Sequence, residues 1–378
     1  MSHMQRAVEL AYEIMGSTSP NPAVGAVLVK DGVEVGSGAT QPPGRSHAEI
    51  IALNQASDQA RGATLYTTLE PCCTWGRTPP CTQAIIAAGI TEVHFAVIDP
   101  NPNVSGNGRD ELEAAGIRVV VEEADGAREL YEAFAKHIQT GAPFVTVKYA
   151  MTLDGKIATH TGDSKWVTGA EARKYVQAMR RACDAILVGV NTALTDDPYL
   201  TARDDVGTPF ERQPLRVVLD SVCSTPLKSV MLGQPGATLI ATTEAAPDAR
   251  ALALEQAGAE VVVLPSGQDR RVDLIALMEH LGSRGVVNLL VEGGGSVHGT
   301  FFDAGLVDKV YAFVAPQIVG GETSLSPVEG SGVEMMADSW NLTGTRTEHI
   351  GLDWLIIGYP RKKSYVPEFL DINVEELE

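Results

Sequence analysis

Three short stretches of the sequence carry residues able to bind a metal and move protons. His47-Ala48-Glu49 stands at the start of a predicted helix, Pro71-Cys72 follows a predicted strand, and Cys81 opens the next predicted helix. One imidazole and two thiolates form a donor set suited to Zn²⁺. Three protein ligands leave the fourth tetrahedral position for water, which a four-ligand structural site would not. Zn²⁺ lowers the pKa of such a water towards ~7. Glu49 is then placed to move protons between that water, a ring nitrogen and departing ammonia, as the glutamate beside the histidine does in zinc deaminases. The expected metal ligands are therefore His47, Cys72 and Cys81, with Glu49 catalytic. Cysteines at helix starts also have their thiolates favoured by the helix dipole.

The spacing departs from the ordinary deaminase signature, which has two residues between its cysteines. Here Cys73 to Pro80 intervene. Side chains of the neighbouring Cys72 and Cys73 diverge, so Cys72 is paired with Cys81, and Cys73 is left as a buried or supporting thiol. The alternative is three unrelated cysteines and a capping histidine. A lone His-x-Glu would not decide against that; the ordered combination does.

Composition narrows the partners. Net charge is −19, from 29 basic and 48 acidic residues, which opposes docking on a phosphate backbone. A small-molecule substrate is favoured over a nucleic acid, and a homo-oligomer is left open. Five cysteines, an odd number, argue against a disulfide framework. No run reaches the roughly 18 apolar residues needed to cross a bilayer, and no signal peptide is read, so the expected location is cytoplasmic. Met1 to Met4 reads as an expression scar ahead of the native start, so His3 is excluded as a site candidate.

At 378 residues with 44% hydrophobic content, two domains are expected. Strands at 23–30 and 33–38 turn at Asp31-Gly32, a hairpin dipeptide. Helices follow at 48–59, 82–88, 108–115 and 127–140, alternating with strands at 64–68, 93–98 and 117–122. This is an α/β layered pattern. Gly141-Ala142-Pro143 is the linker candidate. A second α/β series has strands at 145–150, 185–190, 215–220, 238–242, 260–264, 287–292 and 309–314. Its helices fall at 170–182, 246–257, 273–282 and 296–304. The expected domains are 5–143 and 144–360, followed by an acidic tail at 361–378. Within the second half, a glycine turn at Gly293-Gly294-Gly295 between strand and helix could cradle a phosphate on backbone amides.

Further motifs occur in order. They are Ser19-Pro20-Asn21-Pro22 with Val24-Gly25, Thr68-Leu69-Glu70-Pro71-Cys72, Gly76-Arg77-Thr78-Pro79-Pro80-Cys81 and Asp99-Pro100-Asn101-Pro102. The second half adds Lys148, Leu153-Asp154-Gly155-Lys156, Ser164-x-Trp166, Asp196-Asp197-Pro198 and Val291-Glu292-Gly293-Gly294-Gly295. Together they resemble the bifunctional riboflavin-biosynthesis deaminase/reductase family over roughly residues 6–360. The resemblance implies an N-terminal cytidine-deaminase-like three-layer α/β/α domain and a C-terminal dihydrofolate-reductase-like α/β domain. It also implies two reactions, with Zn²⁺ and NADPH as cofactors. The first is hydrolytic deamination of 2,5-diamino-6-(ribosylamino)pyrimidin-4-one 5'-phosphate. The second is reduction of the ribosyl group to a ribityl chain, giving 5-amino-6-(ribitylamino)uracil 5'-phosphate.

By the same resemblance, Asn21, Arg77, Asp99 and Asn101 contact the deaminase substrate. NADPH meets Ala150, Trp166, Thr192, Asp196, Ser221 and the run Gly294, Gly295, Ser296, Val297, His298, Gly299 and Thr300. The sugar phosphate meets Lys148, Ser164, Arg180, Leu200, Arg203 and Glu292, where arginines suit a phosphate in an acidic protein. The alternative is a nucleoside or tRNA-base deaminase with a structural second domain, or a zinc-stabilised domain fused to a nucleotide-binding module.

Overall fold

A computed structural model describes residues 2–76, 78–267 and 269–362. The first part runs α1 (His3–Glu13), β1 (Gly25–Lys30), β2 (Val33–Ala39), α2 (Ala48–Ala56), β3 (Thr64–Thr67), α3 (Cys81–Ala88), β4 (Glu92–Phe95), α4 (Asn107–Ala114), β5 (Arg118–Val121) and α5 (Ala127–Thr140). Its sheet is ordered β2-β1-β3-β4-β5. β1 pairs antiparallel with β2 and β3, and β3, β4 and β5 are parallel. Asp31 and Gly32 both take positive φ, as a two-residue hairpin turn demands.

Close backbone approach puts helices on both faces. A Cβ on Gly25 would lie 2.0 Å from the Ala7 carbonyl of α1, and one on Gly38 would lie 2.6 Å from the Ala48 carbonyl of α2. Gly25 pairs with Ala39 and Gly38 with Ala26, so the two glycines face opposite sides of the pleat. The sheet is thus the middle of three layers. α2 stops at Ala56 rather than 59, because Ser57 adopts φ 50 and a 3-10 turn follows. The Ser2 side chain accepts the Gln5 amide at 3.0 Å as the cap of α1, and Met4 is fully buried.

The second part comprises β6 (Phe144–Thr152), α6 (Ala170–Ala182), β7 (Ala185–Gly189), α7 (Val190–Asp196), β8 (Leu215–Leu219), β9 (Thr238–Thr242), α8 (Asp248–Gln256), β10 (Glu260–Val263), α9 (Leu274–Ser283), β11 (Asn288–Val291), α10 (Gly295–Asp303), β12 (Lys309–Ala315), β13 (Asn341–Ile350) and β14 (Asp353–Arg361). They build a nine-stranded sheet, β10-β9-β8-β7-β11-β6-β12-β14-β13. Pairing is parallel from β10 to β12 and antiparallel for β14 and β13. β7 and β9 are buried throughout, as expected for inner strands covered on both faces. α7, β13 and β14 were not expected. β13 is mostly exposed and polar, so it has no alternating apolar face to read, and α7 is a short helix directly continuing β7. The expected acidic tail lies, apart from Arg361 and Lys362, outside the described residues.

Helix α5 packs on the β12–β14–β13 end of this sheet. Lys309 is only 2% exposed. Its Nζ lies 2.6 Å from Glu132 Oε1 and 3.5 Å from Glu129 Oε2. Tyr359 donates to Glu132 Oε2 at 2.7 Å, Arg346 pairs with Glu129, and Lys136 meets Asp308 at 2.6 Å. Burial opposes the charge on Lys309, but Glu132 outweighs it and the pKa is raised.

Candidate functional site

His47 is the residue capping α2, in extended backbone, and its side chain makes no cap hydrogen bond. The ring is therefore left to point elsewhere. Its Nδ1 lies 3.6 Å from Cys72 Sγ and 3.3 Å from Cys81 Sγ. Cys81 is the first residue of α3, and its backbone N–H donates to Cys72 Sγ at 3.4 Å. The three ligand atoms all lie within 4.8 Å of one another. His47 Nε2 is 3.1 Å from Thr78 Oγ1. A proton on Nε2 donated to that threonine leaves the Nδ1 lone pair for a metal, and such an outer hydrogen bond fixes a ligating ring's tautomer and orientation. Two sulfurs and an imidazole suit zinc. The residues fit the ion.

Cys72 is held well below the usual thiol range, first by the Cys81 thiol that donates to it and then by the neighbouring His47 ring, against the opposing effect of burial. Cys81, donating in that pair, is pushed up. Glu49, on the first turn of α2, is 4% exposed. Burial raises its carboxyl to about 7, helped by the charge of Cys72, and the Cys81 thiol lies within hydrogen-bond reach. Cys73 is half-buried and stands outside the ligand group.

Of the residues expected to touch the ring, Asn21, Asp99 and Asn101 lie on loops. Asp99 is buried and its pKa is raised to about 6, first by burial and then by Glu70 and Cys72. Its Oδ1 accepts the Asn101 amide at 2.8 Å. Asn21 is half-buried in a turn closed by its amide on the Thr18 carbonyl at 2.9 Å. Arg77 lies outside the described residues. Glu70 received no role from the sequence, yet it organises the whole loop. Its buried carboxylate accepts the amides of Asp99 (3.1 Å), Gly106 (2.9 Å) and Arg109 (3.0 Å). Its place in the Thr68–Cys72 motif was the available signal.

A cleft of about 1440 Å³ opens at the carboxyl ends of the second sheet's strands. It is lined by every residue expected to meet NADPH or the sugar phosphate, except Gly299. A Cβ on Gly299 would lie 2.3 Å from the Glu329 backbone, so this glycine serves packing. The strands contribute Lys148 and Ala150 (β6), with Ser221 following β8 and Glu292 following β11. α6 contributes Arg180, and α7 contributes Thr192 and Asp196. Loops bring Ser164, Trp166, Leu200 and Arg203. Trp166 is 67% exposed, and the Arg173 guanidinium lies 4.5 Å from its ring centroid. Arg203 stacks over Tyr199 at 4.1 Å and donates to Thr201 Oγ1 at 2.7 Å. The Leu200 side chain is buried in the core.

At the centre, Glu292 accepts a fork from Arg180, Nε at 2.7 Å and Nη2 at 2.8 Å, with Lys148 Nζ at 3.5 Å. Burial would raise the Glu292 carboxyl, but the two cations win and hold it at about 2. Arg180 is thus committed to Glu292 rather than open-handed towards a phosphate. At the N-terminus of α10, Gly294 is the helix cap, and a Cβ there would meet nothing nearer than Thr192 Oγ1 at 4.0 Å. The turn is open to the cleft, a cradle in which amides can receive the phosphates of a nucleotide such as NADPH. His298 lies beneath it, 1% exposed. Its Nδ1 donates to the Pro327 carbonyl at 2.8 Å and its Nε2 has no partner. Burial lowers its pKa to about 4.

The fold and these two sites define a two-domain enzyme, a cytidine-deaminase-like zinc hydrolase joined to a dihydrofolate-reductase-like NADPH oxidoreductase. The family model for the cytidine and deoxycytidylate deaminase zinc-binding region matches residues 1–97, and that for the RibD C-terminal domain matches residues 143–356. The chain is 42% identical over 358 residues to riboflavin biosynthesis protein RibD of Aquifex aeolicus, covering 94% of this chain and 97% of the relative. It is 43% identical over 360 residues to that of Synechocystis sp., covering 95% of each. Acinetobacter baumannii RibD superposes with a TM-score of 0.83 at 34% identity, over 95% of this chain and 98% of the other. A diaminohydroxyphosphoribosylaminopyrimidine deaminase/5-amino-6-(5-phosphoribosylamino)uracil reductase from Thermotoga maritima does so with a TM-score of 0.79 at 34% identity and the same coverage. The chain belongs to the RibD family of bifunctional riboflavin-biosynthesis deaminase/reductases. Among the described residues no helix is long and apolar enough to cross a membrane.

Proposed function

We propose that the first domain hydrolytically deaminates 2,5-diamino-6-(ribosylamino)pyrimidin-4-one 5'-phosphate, and that the second reduces the ribosyl group of its product to a ribityl chain. The observation that carries this reading is the convergence of His47, Cys72 and Cys81 within 4.8 Å, with buried Glu49 in reach, in the same chain as the large strand-end cleft. Zn²⁺ supplies a Lewis acid at the first site, and NADPH supplies hydride at the second. Glu49 moves protons to the ring nitrogen and leaving amine. Asn21, Asp99 and Asn101 hold the polar ring edge, and Arg77 holds the phosphate. In the cleft, Gly294 to His298 and Thr300 receive the cofactor phosphates, with Ala150, Trp166, Thr192, Asp196 and Ser221 along the rest of it. Glu292 fixes Lys148 beside the sugar, and Ser164, Arg180, Leu200 and Arg203 shape its pocket.

Domain limits of 5–143 and 144–360 accompany this reading, supported by Gly141, which closes α5 with positive φ just before β6. A cytoplasmic location agrees with five free cysteines, and a homo-oligomer remains compatible with it. A coupled assay following ammonia and NADPH separately is the test. Ammonia release from the diamino-pyrimidinone phosphate, followed by NADPH oxidation, is the expected outcome. Turnover of cytidine with no action on the phosphorylated pyrimidinone would favour the nucleoside-deaminase alternative instead.

A further inference from the structure

The cations lining the cleft are unevenly placed. Lys148, Lys165, Arg173, Lys174, Arg180 and Arg203 lie on β6, on α6 or on the loops beside them. Arg271, between β10 and α9, is the one lysine or arginine among the described lining residues at the opposite end, beyond the carboxyl ends of β8 to β10. β8 and β6 are three positions apart in the sheet, about 14 Å at roughly 4.8 Å per strand. An extended dinucleotide with its phosphates at the α10 turn and its reacting ring near β6 therefore carries its adenosine end towards Arg271.

The loops at that end are tied into one surface. The Ser221 carbonyl accepts from Thr243 Oγ1 at 2.9 Å, which binds the turn after β8 to the turn after β9. Ser266 Oγ donates to Glu244 at 2.7 Å, and Ser266 forms a β-bridge with Val272. The Gly267 amide donates to the Arg271 carbonyl at 2.7 Å, and the Arg271 amide donates to Asp269 Oδ1 at 3.0 Å. Arg271 thus sits at the foot of a closed loop. Its side chain is 61% exposed, and Asp269 meets its Nε at 3.3 Å, leaving the terminal nitrogens for a ligand. The neighbouring carboxylates are already committed. Asp220 accepts from Ser224 and Thr225, Glu244 from Ser266, and Asp269 from Arg271.

We propose that Arg271, with Ser221 lining the same cleft, recognises the 2'-phosphate of the adenosine ribose and so selects NADPH over NADH. A guanidinium with free terminal nitrogens suits a phosphate dianion, and its pairing with Asp269 aims it without consuming it. In a protein of net charge −19, the one cation lining this end of the cleft among the described residues also discriminates by charge. The assignment rests on the reductase reading above.

The test is calorimetric binding of NADP⁺, NAD⁺ and 2',5'-ADP to the full-length zinc-loaded enzyme, together with KM for NADPH and NADH. Arg271→Ala should weaken NADP⁺ and 2',5'-ADP about 10- to 100-fold, leave NAD⁺ within about twofold, and leave ammonia release unchanged. Arg271→Lys should recover part of the loss. Equal weakening of NAD⁺ and NADP⁺, or no change in either, overturns the assignment while leaving the reductase reading intact. Wild-type enzyme that binds no NADP⁺ overturns the reductase reading and this assignment with it.

Discussion

Around the metal group, three ligand atoms from two helix starts and one loop lie within 4.8 Å, and the proton-carrying Glu49 is two residues from one of them. The cleft of the second domain is about 1440 Å³ and draws its lining from strand ends, several helices and several loops. The first site concentrates its chemistry in four side chains, so each is indispensable. The second spreads binding over many contacts around one buried ion cluster, so most single losses there are graded. The difference follows from the cofactor: an ion is gripped at one point, whereas a dinucleotide must be supported along its length.

The sharpest way to break this contrast is Glu49→Gln. Metal content should stay at the wild-type level, because Glu49 is not a ligand, while ammonia release falls about 10²- to 10⁴-fold. Cys81→Ser should lose the metal itself. Both variants should still oxidise NADPH when given the deaminated intermediate, and loss of metal in Glu49→Gln would refute its assigned role. The cleft's one indispensable point is Glu292. Glu292→Gln leaves Arg180 and Lys148 without their anion, and should cost about 3–5 kcal/mol in denaturant unfolding. Its carboxyl is depressed to about 2 in the fold. The stability it contributes is therefore present above pH ~4.5 and lost as pH falls towards 2.

Two smaller effects sharpen the picture. His298 has a lowered pKa of about 4, so the unfolded chain binds its proton first. Stability should fall as pH drops from about 6.5 towards 4, and His298→Asn should flatten that slope in pH-dependent melting. Smallest is the glycine pair at the head of α10. A Cβ on Gly295 would lie 2.3 Å from the Ser326 carbonyl, whereas Gly294 faces open space. Gly295→Ala should cost about 1–3 kcal/mol, and Gly294→Ala less than about 1 kcal/mol. Equal melting temperatures for the two variants would remove the distinction between packing and cradle.

The metal group was legible because its residues sit at element ends that sequence can locate. A histidine before a helix, a cysteine after Pro71 and another opening α3 need only three correct boundaries to converge. The parallel strands were legible from their apolar runs, as in β9, and the end of α5 from Gly141. The hairpin of β13 and β14 was not. Its outer strand is polar and exposed, and it is held by pairing with β14, which no local pattern announces. Glu70 and Thr78 were also missed as organisers, because their partners are backbone amides and a ring nitrogen brought close only by the folded loops. Arg180 was read as a phosphate clamp. Only the three-dimensional structure reveals that its fork is already closed on Glu292, which is distant in sequence.

The seam where α5 meets the second sheet has a graded response to ionic strength built into it. At its rim, Arg346 and Glu129 are 41% and 30% exposed, within reach of dissolved ions, which screen charge over about 8 Å at physiological salt. At its centre, Lys309 is sealed against Glu132 at 2% exposure. Added salt should thus loosen the edge of the seam and leave the middle moored, so that brine frays the union of the two halves without parting them.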